Sequence, residues 1–322
     1  IHVLCESNTN PLRSHIGSGS IWVSNTKTGY LKIDLNEKAL ATPKFNTDIY
    51  NINVNLAPLE DLDCDYVLIA PPFFVNTMDY RELIEKHTSS KADITVAYTH
   101  VKNADNEFIN CDTVTLNKKT GYVTKFGSNS GTAKEKDISL ETFVFSKKAF
   151  IDLCSRTKEV SELYTLRKMV AYGLENKLWK VGSYLFKGVT VPMLSLKNYI
   201  NYSFDLLDAS KREKLFRSNW PIYTSTHNTP PALYKDGAEV SNSFIANGCI
   251  IKGKVTNSIL SRDVIVEEGC EIKNSIIFST TTIGKGVTLN YVLCGKNVSL
   301  KEVKKLSGDR NDVLYIKNGA NV

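Results

Sequence analysis

The chain has 322 residues, of which 42% are hydrophobic and 23% charged, with a formal net charge of +6. That profile describes a globular protein with room for two domains of ordinary size. No apolar run reaches the roughly 20 residues that span a bilayer. No basic tract with interleaved aromatics occurs either, so membrane and nucleic-acid partners are both excluded.

The first predicted element is a turn. Gly17-Ser18-Gly19-Ser20 reads as the end of a helix rather than a phosphate loop. Residues 66–70 (YVLIA) predict a buried strand. Residues 79–87 predict a helix capped by Asn76 or Thr77, with Asp79 and Glu82 near its positive end. Residues 92–98 and 142–145 predict further strands, and a helix follows from Lys147 to about Arg156. A longer helix is expected over 160–176, and a strand over 182–186. Ser195 caps a last helix over 196–207, whose Tyr199, Tyr202, Phe204, Leu206 and Leu207 form an apolar face. Alternating strands and helices make this an α/β domain. Turn residues at Trp220-Pro221 and Thr229-Pro230-Pro231 mark a linker, so the expected domains are 1–220 and 221–322.

From Val240 onward short aliphatic pulses replace helical periodicity. Ile245, Cys249, Ile251 and Val255 are spaced four, two and four, and Val266, Cys270 and Ile272 repeat the four–two step, as do Ile283, Val287 and Leu289. Asn-Ser recurs at 242–243, 257–258 and 274–275. This is a hexapeptide repeat, which predicts a left-handed parallel β-helix in which stacked coils share one core. Glycines suit its turns. No histidine follows His227, which argues against the acyl-transfer use of such helices.

Ligands of open α/β sheets bind beyond the carboxyl ends of the strands. The two loops expected there, 71–76 (PPFFVN) and 187–192 (KGVTVP), contain no carboxylate. No glycine-rich phosphate loop matches. The seven cysteines (5, 64, 111, 154, 249, 270 and 294) are odd in number and lack CxxC spacing, so neither a disulfide framework nor a zinc site is indicated. Reduced thiols in a cytoplasmic protein are the simplest account.

Several motifs together resemble the ADP-glucose pyrophosphorylases (glucose-1-phosphate adenylyltransferases). They are Leu12-x-x-His15-x-x-x-Gly19-x-x-Trp22, Met78-Asp79-Tyr80, Tyr199-x-x-x-x-Asp205-Leu206-Leu207, the linker Trp220–Thr224, and the coil beginning Asn242-Ser243-x-Ile245. The resemblance covers nearly the whole chain. It implies a nucleotidyltransferase-like, Rossmann-like sheet domain followed by the β-helix. It also implies that roughly fifty residues, including the nucleotide loop, are missing before Ile1, an N-terminal truncation judged from domain length. Active members of that family hold magnesium between two aspartates. Here those places fall on Phe73, with Pro72 and Phe74 beside it, and on Pro192. The sugar-phosphate lysine motif is replaced by 124–129 (TKFGSN), and of the glucose-contacting S-M-G only Ser139 remains, in Ser139-Leu140-Glu141.

The resemblance therefore points to a GlgD-type, non-catalytic subunit in glycogen biosynthesis, partnered with a catalytic GlgC-type subunit in a hetero-oligomer, or forming a homo-oligomer. The chain itself would bind no cofactor, and magnesium would sit in the partner. One alternative is an active nucleotidyltransferase with changed ligands, for which Asp79 and Asp205 are candidates. The other is an anion- or glycan-binding protein using Arg13, Arg262, Arg310 and the lysines at 301, 304 and 305.

Overall fold

A run of β-branched and aromatic residues with both faces buried belongs at the centre of a sheet. In the computed structural model, Ile94–Val101 is such a strand. The structure describes residues 1–5, 9–23, 25, 27–35, 47–55, 61, 63–161, 163–224 and 227–322. They divide into two compact units, Ile1–Thr190 and Val191–Val322.

The first unit opens with a parallel pair, β1 (His2–Cys5) and β2 (Lys32–Leu35), separated by helix α1 (Asn10–Ile16). Gly17 ends α1 at φ 62, so the Gly-Ser-Gly-Ser segment is the helix-ending turn its composition suggested. Helix α2 (Asp48–Asn55) follows, then β3 (Tyr66–Ile69), β4 (Phe74–Asn76), α3 (Tyr80–Ser90) and β5 (Ile94–Val101). Strands β6 (Asp112–Leu116), β7 (Val123–Ser128) and β8 (Lys136–Ser146) lead to α4 (Lys147–Val160), α5 (Leu166–Glu175) and β9 (Val181–Leu185). The main sheet has the order β7-β6-β8-β5-β9, with β3 also on β8. Strands β3 and β5 both run antiparallel to β8, and β9 runs parallel to β5. Strands β3, β5 and β9 therefore end at the same sheet edge. This is the Rossmann-like α/β domain expected. Its core joins Phe143, Phe145 and Phe150 to Ile94, Leu153 and Met169.

Several boundaries differ from expectation. Helix α3 is capped by Asp79, whose carboxylate accepts from Arg81 N, and not by Asn76 or Thr77. Its backbone is extended at Asp79 (φ −83, ψ 108), the geometry that lets a cap oxygen reach the first free N–H groups. The helix expected over 160–176 starts only at Leu166, where Thr165 provides the cap; residue 162 lies outside the described residues. The strand expected at 142–145 is the end of the longer β8.

In the second unit, β10 (Thr190–Pro192) crosses the boundary, and helices α6 (Leu196–Asp205) and α7 (Ala209–Leu215) precede the repeats. Ser195 caps α6 as anticipated, accepting from Asn198 N. The unit boundary lies at 190/191, earlier than the expected 220/221. The reason is packing. Ile200 of α6 is buried against Ile276 and Leu293 of the repeats, and the Tyr199 ring lies 6.2 Å from that of Phe278. Arg212 of α7 sits over the Phe244 ring at 5.3 Å. The apolar face read on that helix is thus a face for the β-helix.

The repeats form three five-stranded parallel sheets. One column runs through Val240, Val255, Ile272, Leu289 and Leu306, each opposite the next. Val255, Ile272 and Leu289 are fully buried, as are Cys249 and Cys270 at small-residue places and Cys294, which stands in the column of Leu260, Ile277 and Ile316. The Asn-Ser pairs have a physical role that the spacing alone did not reveal. Asn242, Asn257 and Asn274 sit at φ 43, 46 and 48, a left-handed region asparagine tolerates better than most residues. Their amides form a ladder, with Asn242 Nδ2 donating to Asn257 Oδ1 (2.9 Å), Asn257 Nδ2 to Asn274 Oδ1 (2.7 Å), and Asn274 Nδ2 to Asn290 Oδ1 (3.0 Å). Each serine hydroxyl accepts an N–H from the coil above, as Ser258 Oγ does from Ser275 N at 3.1 Å.

Candidate functional site

The shared edge where β3, β5 and β9 end is the place to seek chemistry. After β3 the chain turns through Ala70–Phe73 and enters β4. Phe73 is half-buried, and its ring lies 5.1 Å from that of Phe74. Phe74 stacks on Phe108 at 6.4 Å. After β9, the buried Phe186 joins the same apolar cluster, together with Met78, Leu83 and Leu140. A Cβ on Gly188 would meet the Phe186 ring at 2.3 Å, so the loop closes tightly over an aromatic side chain. Phenyl rings therefore fill the loops after β3 and β9.

Magnesium is held by oxygen ligands, chiefly carboxylates. The position assigned by resemblance to one metal aspartate carries the Phe73 ring, packed in that cluster. The position assigned to the other carries Pro192, which is buried. Neither side chain has a donor atom, so these residues do not fit the ion. Among the described residues no group of three or more His, Cys, Asp or Glu is placed to hold a metal.

Asp79 and Asp205, the alternative ligands, have other work. Asp79 caps α3 and takes Arg81 Nε at 3.0 Å and Nη2 at 2.6 Å; that guanidinium holds its carboxyl below the usual range. Asp205 ends α6 and pairs with Lys211 Nζ at 2.5 Å. Ser139 is buried, and its hydroxyl accepts from Glu141 N at 3.2 Å. In the 124–129 segment, Lys125 is exposed. Asn129 is fully buried, with Nδ2 donating to the carbonyls of Ala104 (2.8 Å) and Phe108 (2.9 Å).

Of the anion candidates, Arg13 lines a cavity of about 260 Å³ with Gly17, Ser18, Gly19 and Leu31, and its Nε donates to Thr9 Oγ1 at 3.1 Å. Arg262 follows the second coil of the β-helix and Arg310 lies in an exposed loop of the fifth, so the fold does not bring those two together. Lys301, Lys304 and Lys305 are exposed.

A charged cluster that the sequence did not disclose lies at the bulge of β8. Pairing with β5 shifts between Val96 and Tyr98, leaving the three residues Leu140–Thr142 opposite Ala97 alone. Glu141 there takes φ 49, a region costly for a residue with a side chain. Its carboxylate lies 3.6 Å from Arg167 Nη1, which also donates to Asp112 Oδ1 at 2.8 Å. Asp48 Oδ1 nearby accepts from Leu166 N at 2.8 Å. Burial pushes the Glu141 carboxyl up to about 7; Arg167 opposes this shift, while Asp112 and Asp48 add to it. Burial also raises Asp112 and Asp48. One signal was available in advance: Glu141 stands where the resembled S-M-G carries glycine, the residue suited to positive φ.

Residues 231–312 match the model of the GlmU-like C-terminal hexapeptide family. Over 325 aligned residues, covering 99% of this chain and 85% of the relative, the chain is 23% identical to a glucose-1-phosphate adenylyltransferase of Bacillus cytotoxicus. It is 24% identical, at the same coverage, to those of Bacillus cereus and Bacillus anthracis.

Proposed function

We propose, from the premise that this chain is a distant full-length homologue of glucose-1-phosphate adenylyltransferases with a GlmU-like hexapeptide domain, that it acts in nucleotide-sugar synthesis for glycogen as a non-catalytic, GlgD-type subunit. The catalytic GlgC-type partner supplies the magnesium site and joins ATP to glucose 1-phosphate. The present chain supports and regulates that partner within a hetero-oligomer.

One observation carries the reading. At the strand edge where the reaction would be organised, Phe73, in the place the resemblance assigns to a metal aspartate, is a phenyl ring packed against Phe74. Phosphoryl-type chemistry rests almost entirely on positioning and charge stabilisation. A packed ring offers neither. The main sheet beside it is formed, which suits a chain kept for assembly rather than turnover.

Mixing the purified chain with its catalytic partner tests the role. The partner's rate, or its response to an effector, should rise severalfold on addition of this chain, and the two should co-elute. A partner whose rate, effector response and elution are all unaffected would remove the subunit reading.

A further inference from the structure

A bulge bends its strand and aims a side chain that regular pairing would place elsewhere. At the bulge of β8, Leu140 is buried in the cluster of Phe74 and Met78, and the buried Thr142 donates its hydroxyl to Leu140 O at 3.2 Å. Glu141, between them, reaches instead to α5, where its carboxylate meets Arg167. Its amide donates to Ser139 Oγ at 3.2 Å, a bond made across the bend. The backbone at φ 49 is costly for any residue with a Cβ, so these contacts hold the bulge in a shape it would not keep unaided.

The contact with Arg167 is contested. The nitrogen that lies 3.6 Å from Glu141 Oε1 donates to Asp112 Oδ1 at 2.8 Å. The Glu141, Asp112 and Arg167 side chains are 20%, 17% and 35% exposed, so water screens them poorly. Titratable groups face Glu141 from three packed elements. They are Arg167 on α5, Asp112 on β6 with the buried Cys111 thiol just before it, and Asp48 at the start of α2. Opposite the bulge on β5 stands Ala97, which carries no charge. Among the described residues, one guanidinium therefore serves three carboxylates. A neutral Glu141 fits that arrangement. An ionised Glu141 is poorly hydrated and is repelled by two anions that share its only cation.

We propose that the bulge of β8 is a proton-operated latch, docked against α5 while the Glu141 carboxyl is neutral and swung outward into solvent once it ionises. Opening hydrates the carboxylate, relaxes the backbone at Glu141 and frees the Ser139 hydroxyl from the Glu141 amide. Burial holds the docked carboxyl at about 7, against 4.5 for the same group in water. Docking is therefore strongest below 4.5 and is lost as pH rises through 7, by up to about 300-fold in the docking equilibrium. The latch does not depend on the subunit role: it is a property of the sheet domain, and its failure would leave the catalytic question untouched.

Amide hydrogen exchange of the full chain, resolved by residue and corrected for the intrinsic acceleration with pH, reads the opening. The corrected rate at residue 141 should rise about tenfold between about pH 6 and about pH 8, while residues 143–145, paired within the sheet, stay unchanged. Glu141→Gln keeps the shape without the charge and should abolish the rise. Asp112→Asn removes a competing anion and should move the rise to lower pH. A flat profile in the unaltered chain, the same rise in Glu141→Gln, or an unshifted profile in Asp112→Asn overturns the proposal. The carboxyl resonance of Glu141 in isotopically labelled, unaltered protein gives a second reading, free of any folding defect in a variant. Its midpoint should lie near 7, and a midpoint in the ordinary glutamate range overturns the latch.

Discussion

Purified alone and supplied with ATP, glucose 1-phosphate and magnesium, the chain should form ADP-glucose no faster than about 10⁴- to 10⁶-fold below a catalytic relative assayed alongside. The figure follows from the chemistry at two positions. Removing one well-placed electrostatic group from an active site costs roughly 10²- to 10³-fold in rate, and two such losses multiply when they act independently. Phe73 and Pro192 stand in the places that the motif resemblance assigns to the two metal carboxylates. The Phe73 ring packs against Phe74, which in turn stacks on Phe108. The place therefore offers apolar surface where a carboxylate would have to coordinate. Neither Asp79 nor Asp205 is a ready substitute, because each is paired with a neighbouring cation. A coupled pyrophosphate-release assay checks this. Turnover within tenfold of the catalytic relative would mean that other groups have taken over.

Replacing Glu141 with glutamine should stabilise the protein at alkaline pH and change it little in acid. The unfolded chain releases the Glu141 proton near 4.5, whereas burial holds the folded group at about 7. The folded state thus binds the proton more tightly. Its advantage is greatest below pH 4.5 and is lost as pH rises through 7, since a raised carboxyl pKa lowers stability when the group must ionise. A shift of this size corresponds to roughly 3 kcal/mol at most. Arg167 recovers part of the cost of the anion, and Asp112 competes for the same Nη1. Urea denaturation of both proteins at about pH 5 and about pH 8.5, on either side of the transition, provides the test. Equal gains at both values would mean that glutamine acts through packing and not through the charge.

The β-helix was legible because its information is local. Each coil repeats the same short pattern, and the residues that bury it lie within a few positions of one another. The strand at Tyr66–Ile69 and the Ser195 cap were legible for the same reason, although that strand is not buried as expected: Tyr66 is exposed and the other three residues are half-buried. Strands β6 and β7 were not, since one edge strand reads Val-Thr-Lys-Phe-Gly-Ser with only Val123 buried. Such a strand lacks the apolar run that marks a central one. The unit boundary was missed because α6 shows an apolar stripe without showing what it packs on; Ile276 and Leu293 lie far along the chain. The Glu141 cluster was hidden by distance as well. Its members come from α2, β6, β8 and α5, with 118 positions between Asp48 and the Leu166 amide it accepts from. The chemistry of Phe73 and Pro192 needed no contact information, because neither a phenyl nor a pyrrolidine ring carries a metal ligand.

Manganese binding, followed by electron paramagnetic resonance, addresses the central claim directly. Spectra are recorded with nucleotide sugar and Mn²⁺ held constant while the chain is titrated in. The unaltered chain should leave the signal of the metal–nucleotide mixture unchanged, because the side chains of Phe73 and Pro192 provide no carboxylate to capture the ion. A saturable change approaching one manganese per chain, abolished by replacing one of the chain's own carboxylates near that strand edge, would contradict the account.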